Sequence, residues 1–222
     1  MKKILSALFA TIGLSSATHA EPAVQMMDAK SIGFTMPTVA ADDIQFVMPT
    51  KESFEGAPQF HEDQWCQLEF FSQDRLAEIQ EILFEYKTFE KKHRTKNGWN
   101  EIFARRLKRE PVMSGINATN LAKSIQANLL PSPILTTTSS ALGQVKDGFT
   151  VEVSNSVFLY GINSGQGINT LGAIVEKGGD NSQLAFTFIK MHKEYKLIMV
   201  DWRLQQLLMS VNDDGEINVW YP

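Results

Sequence analysis

Apolar positions change their period along the chain, and the change predicts two kinds of structure in order. From Ser72, a residue suited to an N-cap, Leu76, Ile79, Leu83 and Tyr86 recur at helical spacing, with Ile82 and Phe89 widening the stripe. A helix is expected to about His93, ended by a turn at Asn97-Gly98. Trp99, Ile102, Phe103 and Leu107 then have the spacing of the inner face of a second helix, stopped by Pro111. A third helix is expected over residues 118–129, capped by Asn117 and closed by Leu130-Pro131-Ser132-Pro133.

Past a Thr/Ser-rich stretch at residues 136–144 the period shortens. Segments 149–153, 157–162, 170–176, 184–191 and 197–211 are rich in β-branched, aromatic and alternating residues and read as strands. Gly178-Gly179-Asp180-Asn181 and Asn212-Asp213-Asp214-Gly215 read as hairpin connections, the second leading to a final strand over 217–221. Helices first and strands second indicate an α+β domain: about three N-terminal helices packed on a C-terminal antiparallel meander of five to six strands. This single domain is expected over residues 64–222. Residues 21–63 read as an extended or irregular arm, because Pro22, Pro37, Pro49 and Pro58 interrupt every apolar run, and only residues 44–48 resemble a short strand. Residues 65–71 are short and aromatic, and a strand is the preferred reading.

The first 20 residues change the setting. Lys2 and Lys3 precede the apolar stretch 4–14, and small residues lead to Thr18 and Ala20 at the −3 and −1 positions of a signal-peptidase site. An apolar core this short does not span a bilayer, which needs about 20 residues. Cleavage is expected before Glu21, giving a periplasmic or secreted chain with no membrane anchor afterwards. The only cysteine, Cys66, lies far from that site, so no lipid attachment is expected there. It cannot form an internal disulfide, which leaves burial as a small apolar residue, a disulfide-linked dimer, or a reactive thiol.

Charge is segregated once the leader is set aside. Residues 87–109 contain Lys87, Lys91, Lys92, Arg94, Lys96, Arg105, Arg106, Lys108 and Arg109 against Glu90 and Glu101, a net of +7. Residues 21–71 hold nine acids against Lys30 and Lys51, a net of −7. Such asymmetry marks either a surface for an anionic partner or two segments that neutralise one another. Trp99 and Phe103 among the cations suit nucleic-acid binding, but export and an acidic total argue against nucleic acid as the partner.

No motif specifies a reaction. Cys66 and His192 have the order of a cysteine hydrolase, but the residues around them match no hydrolase signature, and no G-x-S-x-G elbow is present. His61, Glu62, Asp63 and Cys66 cluster without a familiar ligand spacing, so neither a metal nor another cofactor is expected. Asp201 and Arg203, read as two apart in a strand, share a face on which they pair or grip a ligand. The expected function is that of a soluble periplasmic interaction protein without catalysis, an inhibitor or immunity protein against a secreted toxin being the natural sub-class. Its partner would be another protein, an acidic toxin or an envelope component, bound through Lys91, Lys92, Arg94, Lys96, Arg105, Arg106, Lys108 and Arg109. The alternative is a cell-envelope hydrolase using Cys66 and His192.

Overall fold

Alternation in the C-terminal half builds the centre of the molecule, and the N-terminal half is threaded through it. A computed structural model describes residues 34–108 and 110–222. The expected leader (1–20), the start of the expected arm (21–33) and Arg109 lie outside the described residues. The described chain opens with strands β1 (Thr38–Ala40) and β2 (Phe46–Val47), a short helix α1 (Lys51–Gly56), and strands β3 (Gln59–His61) and β4 (Leu68–Ser72). A 3-10 turn, Gln73–Arg75, leads into α2 (Leu76–His93), which is followed by β5 (Arg94–Thr95), β6 (Gly98–Trp99), β7 (Phe103–Arg105) and β8 (Met113–Ser114). Next come α3 (Ala118–Ile125), β9 (Asn128–Leu130), β10 (Ile134–Thr136) and β11 (Ala141–Val145). The long strands β12 (Gly148–Ser154), β13 (Val157–Ser164) and β14 (Gly167–Val175) precede α4 (Asn181–Tyr195). Strands β15 (Leu197–Asp201), β16 (Gln206–Val211) and β17 (Ile217–Trp220) end the chain.

A nine-stranded antiparallel sheet runs β17-β16-β15-β4-β14-β13-β12-β9, with β8 added beside β14. Strand β4 sits at its centre, and its neighbouring residues Phe70 and Phe71 are both fully buried, one on each face. A sheet covered on both faces needs such a continuous apolar run. On one face Leu121 of α3 and Leu184, Phe188 and Met191 of α4 pack on Phe70, Leu159, Leu171 and Met199. On the other, Ile79, Leu83 and Tyr86 of α2 cover Phe71, Ile198 and Val200. The remainder of that face, Phe158, Tyr160 and Ile174, is covered by a four-stranded sheet, β2-β11-β10-β3, through Phe60, Leu135 and Val145.

The expected arrangement of three N-terminal helices on a small meander is therefore wrong: strands predominate, and the large sheet takes in β8 and β9 from the stretch expected to be helical, with β4, where a strand was expected over 65–71, at its centre. The first helix holds, ending at His93 and followed by the β5–β6 hairpin at Asn97-Gly98. The second does not form. Trp99 exchanges backbone hydrogen bonds with Phe34, and β7 pairs in parallel with β1, so the chain is extended where its apolar spacing suggested a helix. The third is capped by Asn117, whose side chain accepts from the Asn120 amide, but it ends at Ile125, where Gln126 turns left-handed (φ +59°). The expected strand 184–191 is the core of α4. Its N-cap is Asp180, within the sequence read as a hairpin, and Leu184, Phe188 and Met191 form its buried stripe. The expected long strand 197–211 is a hairpin of β15 and β16, folded at residues 202–205. The final hairpin forms as expected, with Val211 paired to Ile217. Of the expected arm, the described part is tied in: β1 joins β7, and β3 joins β10 in parallel. Among the described residues no helix is long and apolar enough to cross a membrane.

Candidate functional site

Cys66 opens the central strand from a left-handed conformation (φ +52°) and is fully buried. Its amide donates to the Tyr160 hydroxyl at 2.8 Å, and its carbonyl accepts from Arg105 Nη2 at 2.8 Å. Arg105 also donates to Thr38 Oγ1 at 2.9 Å and lies over the Trp202 ring at 4.7 Å. The Trp202 indole N–H in turn donates to Glu69 Oε2 at 3.0 Å. Cys66, Glu69, Arg105 and Trp202 are each no more than 1% exposed. A buried guanidinium is tolerated when hydrogen bonds and an aromatic face together replace part of its hydration. Here it joins three elements distant in sequence: β1, the entry to β4, and the turn after β15.

His192 lies elsewhere. It sits in the last turn of α4, buried, with Nδ1 2.9 Å from the Leu197 carbonyl. Leu197 pairs with Ser72 and Asp201 with Leu68, so four strand positions, about 13 Å, separate the His192 end of β4 from the Cys66 end. The two residues also belong to opposite faces, His192 on the α4 side and Cys66 packed among Phe60, Trp65 and Tyr160. The structure does not bring this pair together. A disulfide to a second chain through Cys66 would need the core to open.

The eight basic residues singled out in the sequence separate into distinct settings. Lys91, Lys92, Arg94 and Lys96 are exposed together, on the last turn of α2 and the β5–β6 hairpin. Arg94 lies 3.7 Å from Glu90 and 5.9 Å from the Trp99 ring centre. Lys91, Lys92 and Lys96 form no ion pair among the described residues. Arg105 belongs to the buried hub rather than to any surface. Arg106 is exposed just after β7, while Lys108 is held by Glu110 near Glu78, at the opposite end of α2. Arg109 lies outside the described residues. Over residues 87–96 five bases oppose only Glu90, a net of +4, and cations at a helix C-terminus also offset the helix dipole.

A shallow groove runs along α2, lined by Ala77, Gln80, Phe84, Phe89 and Lys92, and reaches its basic end. Phe84 is 55% exposed, and its ring meets Trp220 edge-on at 5.2 Å. The sequence marked Phe89 as a widening of the buried stripe and left Phe84 unassigned; only the structure shows Phe84 exposed beside Trp220 of β17.

Asp201 and Arg203 are not two apart in a strand. Asp201 ends β15 and Arg203 lies in the β15–β16 turn, where Asp201 Oδ1 accepts from the amides of Arg203 (3.0 Å) and Leu204 (3.1 Å). Arg203 Nε lies 4.0 Å from the same oxygen. In the cluster of His61, Glu62, Asp63 and Cys66, where no metal was expected, His61 Nδ1 accepts from the Asp63 amide and caps the 3-10 turn Glu62–Gln64, while Cys66 is buried. Among the described residues no three His, Cys, Asp or Glu side chains converge in a way that could hold a metal. Comparison of the chain with protein-family models, with curated proteins and with solved structures finds no match.

Proposed function

We propose that the protein is an exported, non-catalytic interaction protein that binds an acidic protein partner at the C-terminal end of α2. The observation that carries this reading is the exposed group Lys91, Lys92 and Lys96, without acidic partners among the described residues, beside a groove from which Phe84 protrudes. Protein interfaces combine an aromatic anchor with a charged rim, and complementary charge chiefly raises the association rate and selects the partner. Inhibitors and immunity proteins fit this class, since they act by occupancy and need no reacting group. The burial and separation of Cys66 and His192 support a reading without catalysis.

The reading is tested by isolating the partner with the intact protein and measuring affinity at about 50 and 200 mM salt. Reversal of three charges (Lys91→Glu, Lys92→Glu, Lys96→Glu) is expected to weaken binding by at least tenfold and to flatten its salt dependence. Cys66→Ala and His192→Gln are expected to leave it unchanged. Binding indifferent to the reversal, or a loss of function in folded Cys66→Ala, would overturn the proposal. N-terminal sequencing of the protein from the periplasm tests export, with Glu21 the expected first residue.

A further inference from the structure

A cavity of about 560 Å³ opens on the α3/α4 face of the large sheet, beside the β15–β16 turn and on the opposite face from α2. Its floor is apolar, formed by Leu68 of β4, Ala173 of β14, Met199 of β15 and Leu208 of β16. Leu184 and Ala185, in the first turns of α4, form a wall. The space exists because small side chains, Ala173 and Ala185, line it from the sheet and the helix; a leucine at either position would fill part of it. Its size lies within the range of about 300–1,000 Å³ usual for small-molecule sites.

The charge around this space has a definite sign. The ionisable residues lining it are Glu176, Asp201 and Arg203, two carboxylates against one guanidinium. Asp201 is only 9% exposed, and both of its backbone hydrogen bonds fall on Oδ1. Oδ2 accepts no hydrogen bond among the described residues. The arginine is half exposed and stands off at 4.0 Å. The N-terminus of α4 also reaches the cavity, at Asn181, and would ordinarily favour an anion. That end is already occupied by Asp180, whose carboxylate accepts from the Ser182 amide at 2.8 Å and hydroxyl at 2.6 Å. An incoming anion would therefore meet Asp180, Glu176 and Asp201 with only Arg203 to offset them.

We propose that this cavity binds a small amphiphilic cation, an apolar chain or ring bearing one ammonium or amidinium group. The charged head lies against Asp201 Oδ2, and the apolar body rests on Leu68, Ala173, Met199 and Leu208. Neither the basic end of α2 nor its partner is involved, so the proposal stands or falls independently of the interaction reading.

The test uses the full chain and three probes of equal length: hexylammonium, hexanoate and hexanol, titrated by NMR. Hexylammonium is expected to bind about fivefold more tightly than hexanoate, the upper end of what one partly exposed charge pair contributes. Asp201→Asn keeps an oxygen for the Arg203 and Leu204 amides but removes the charge; it is expected to bring hexylammonium within about twofold of hexanol. Ala185→Phe, at a half-buried helix position, fills the wall and is expected to abolish binding of all three probes. It keeps the proposal testable even where Asp201→Asn does not fold. Binding of hexanoate as tight as that of hexylammonium, retention of the preference in folded Asp201→Asn, binding that survives Ala185→Phe, or no binding by any probe would each overturn the proposal.

Discussion

Replacing Arg105 by alanine is expected to destabilise the protein by about 4 kcal/mol, and the size of this loss follows from what the side chain touches. Two hydrogen bonds from the guanidinium, to Thr38 Oγ1 and to the Cys66 carbonyl, are removed together with the stack on Trp202. Hydrogen bonds from a charged donor contribute roughly 1.5–3 kcal/mol each, and a desolvated cation–π contact about 2 kcal/mol. These terms overlap, and the loss for removing a buried charged partner is of order 3–5 kcal/mol. Arg105→Lys keeps the charge but replaces the planar fork by a single head that cannot span both acceptors while stacking, so a loss of about 2 kcal/mol is expected. Lys91→Ala, on the exposed end of α2, is expected to change stability by no more than about 0.5 kcal/mol. Urea unfolding followed by tryptophan fluorescence separates these cases: with m near 2 kcal/mol/M, Arg105→Ala lowers the midpoint by about 2 M. A midpoint for Arg105→Ala equal to that of Lys91→Ala would refute the buried hub and return Arg105 to the surface.

Two further outcomes follow from the core. Burial pushes the Tyr86 phenol up to about 12, and Tyr160 is raised by burial as well. The unfolded chain ionises near pH 10, so it releases protons that the folded state retains, and stability is expected to hold below pH 10 and fall from there to about pH 12, by up to ~1.4 kcal/mol per pH unit for each phenol. Urea midpoints between pH 9 and 11 check this, and a Tyr86→Phe protein with an undiminished slope would contradict it. A Cβ at Gly172 would lie 2.8 Å from the Tyr160 ring, so Gly172→Ala displaces the phenol that accepts the Cys66 amide; a loss of about 1–3 kcal/mol is expected, and an unchanged melting temperature would show that this close approach is absent.

How far the sequence carried the fold depends on where each apolar residue found its partner. In α2 the partners all lie on one face of the sheet, so the 3.6-residue spacing of Leu76, Ile79, Leu83 and Tyr86 is visible without the structure. Trp99 and Phe103 show a similar spacing for unrelated reasons. Trp99 pairs with the Phe34 backbone, and Phe103 lies at stacking distance from Tyr86, 5.3 Å between ring centres, so tertiary contacts override the local period. In α4 the helical spacing of Leu184, Phe188 and Met191 was present, but β-branched and aromatic neighbours, after a Gly-Gly-Asp-Asn sequence resembling a hairpin turn, concealed it. The cavity beside Asp201 depends on that helix and on the hairpin after β15, so it had no counterpart in the sequence. Arg105 looked like one more cation in a basic run because nothing local distinguishes a side chain that enters the core from one that leaves it.

The parallel pairing of β1 with β7 and of β3 with β10 also bears on the order in which the molecule assembles. Parallel strands cannot be joined by a tight turn, and the Thr38 side chain reaches a carbonyl 65 residues further along the chain. In a chain that becomes available from its N-terminus, β1 therefore waits for its strand partner until residues 103–105 have appeared, β3 until residues 134–136, and Phe46 and Val47 of β2 until residues 144–145. Long closures of this kind slow folding and leave strand edges open to other chains in the interval. Until those partners are made the edges of the N-terminal strands stay open, and that interval exposes the protein to misassembly.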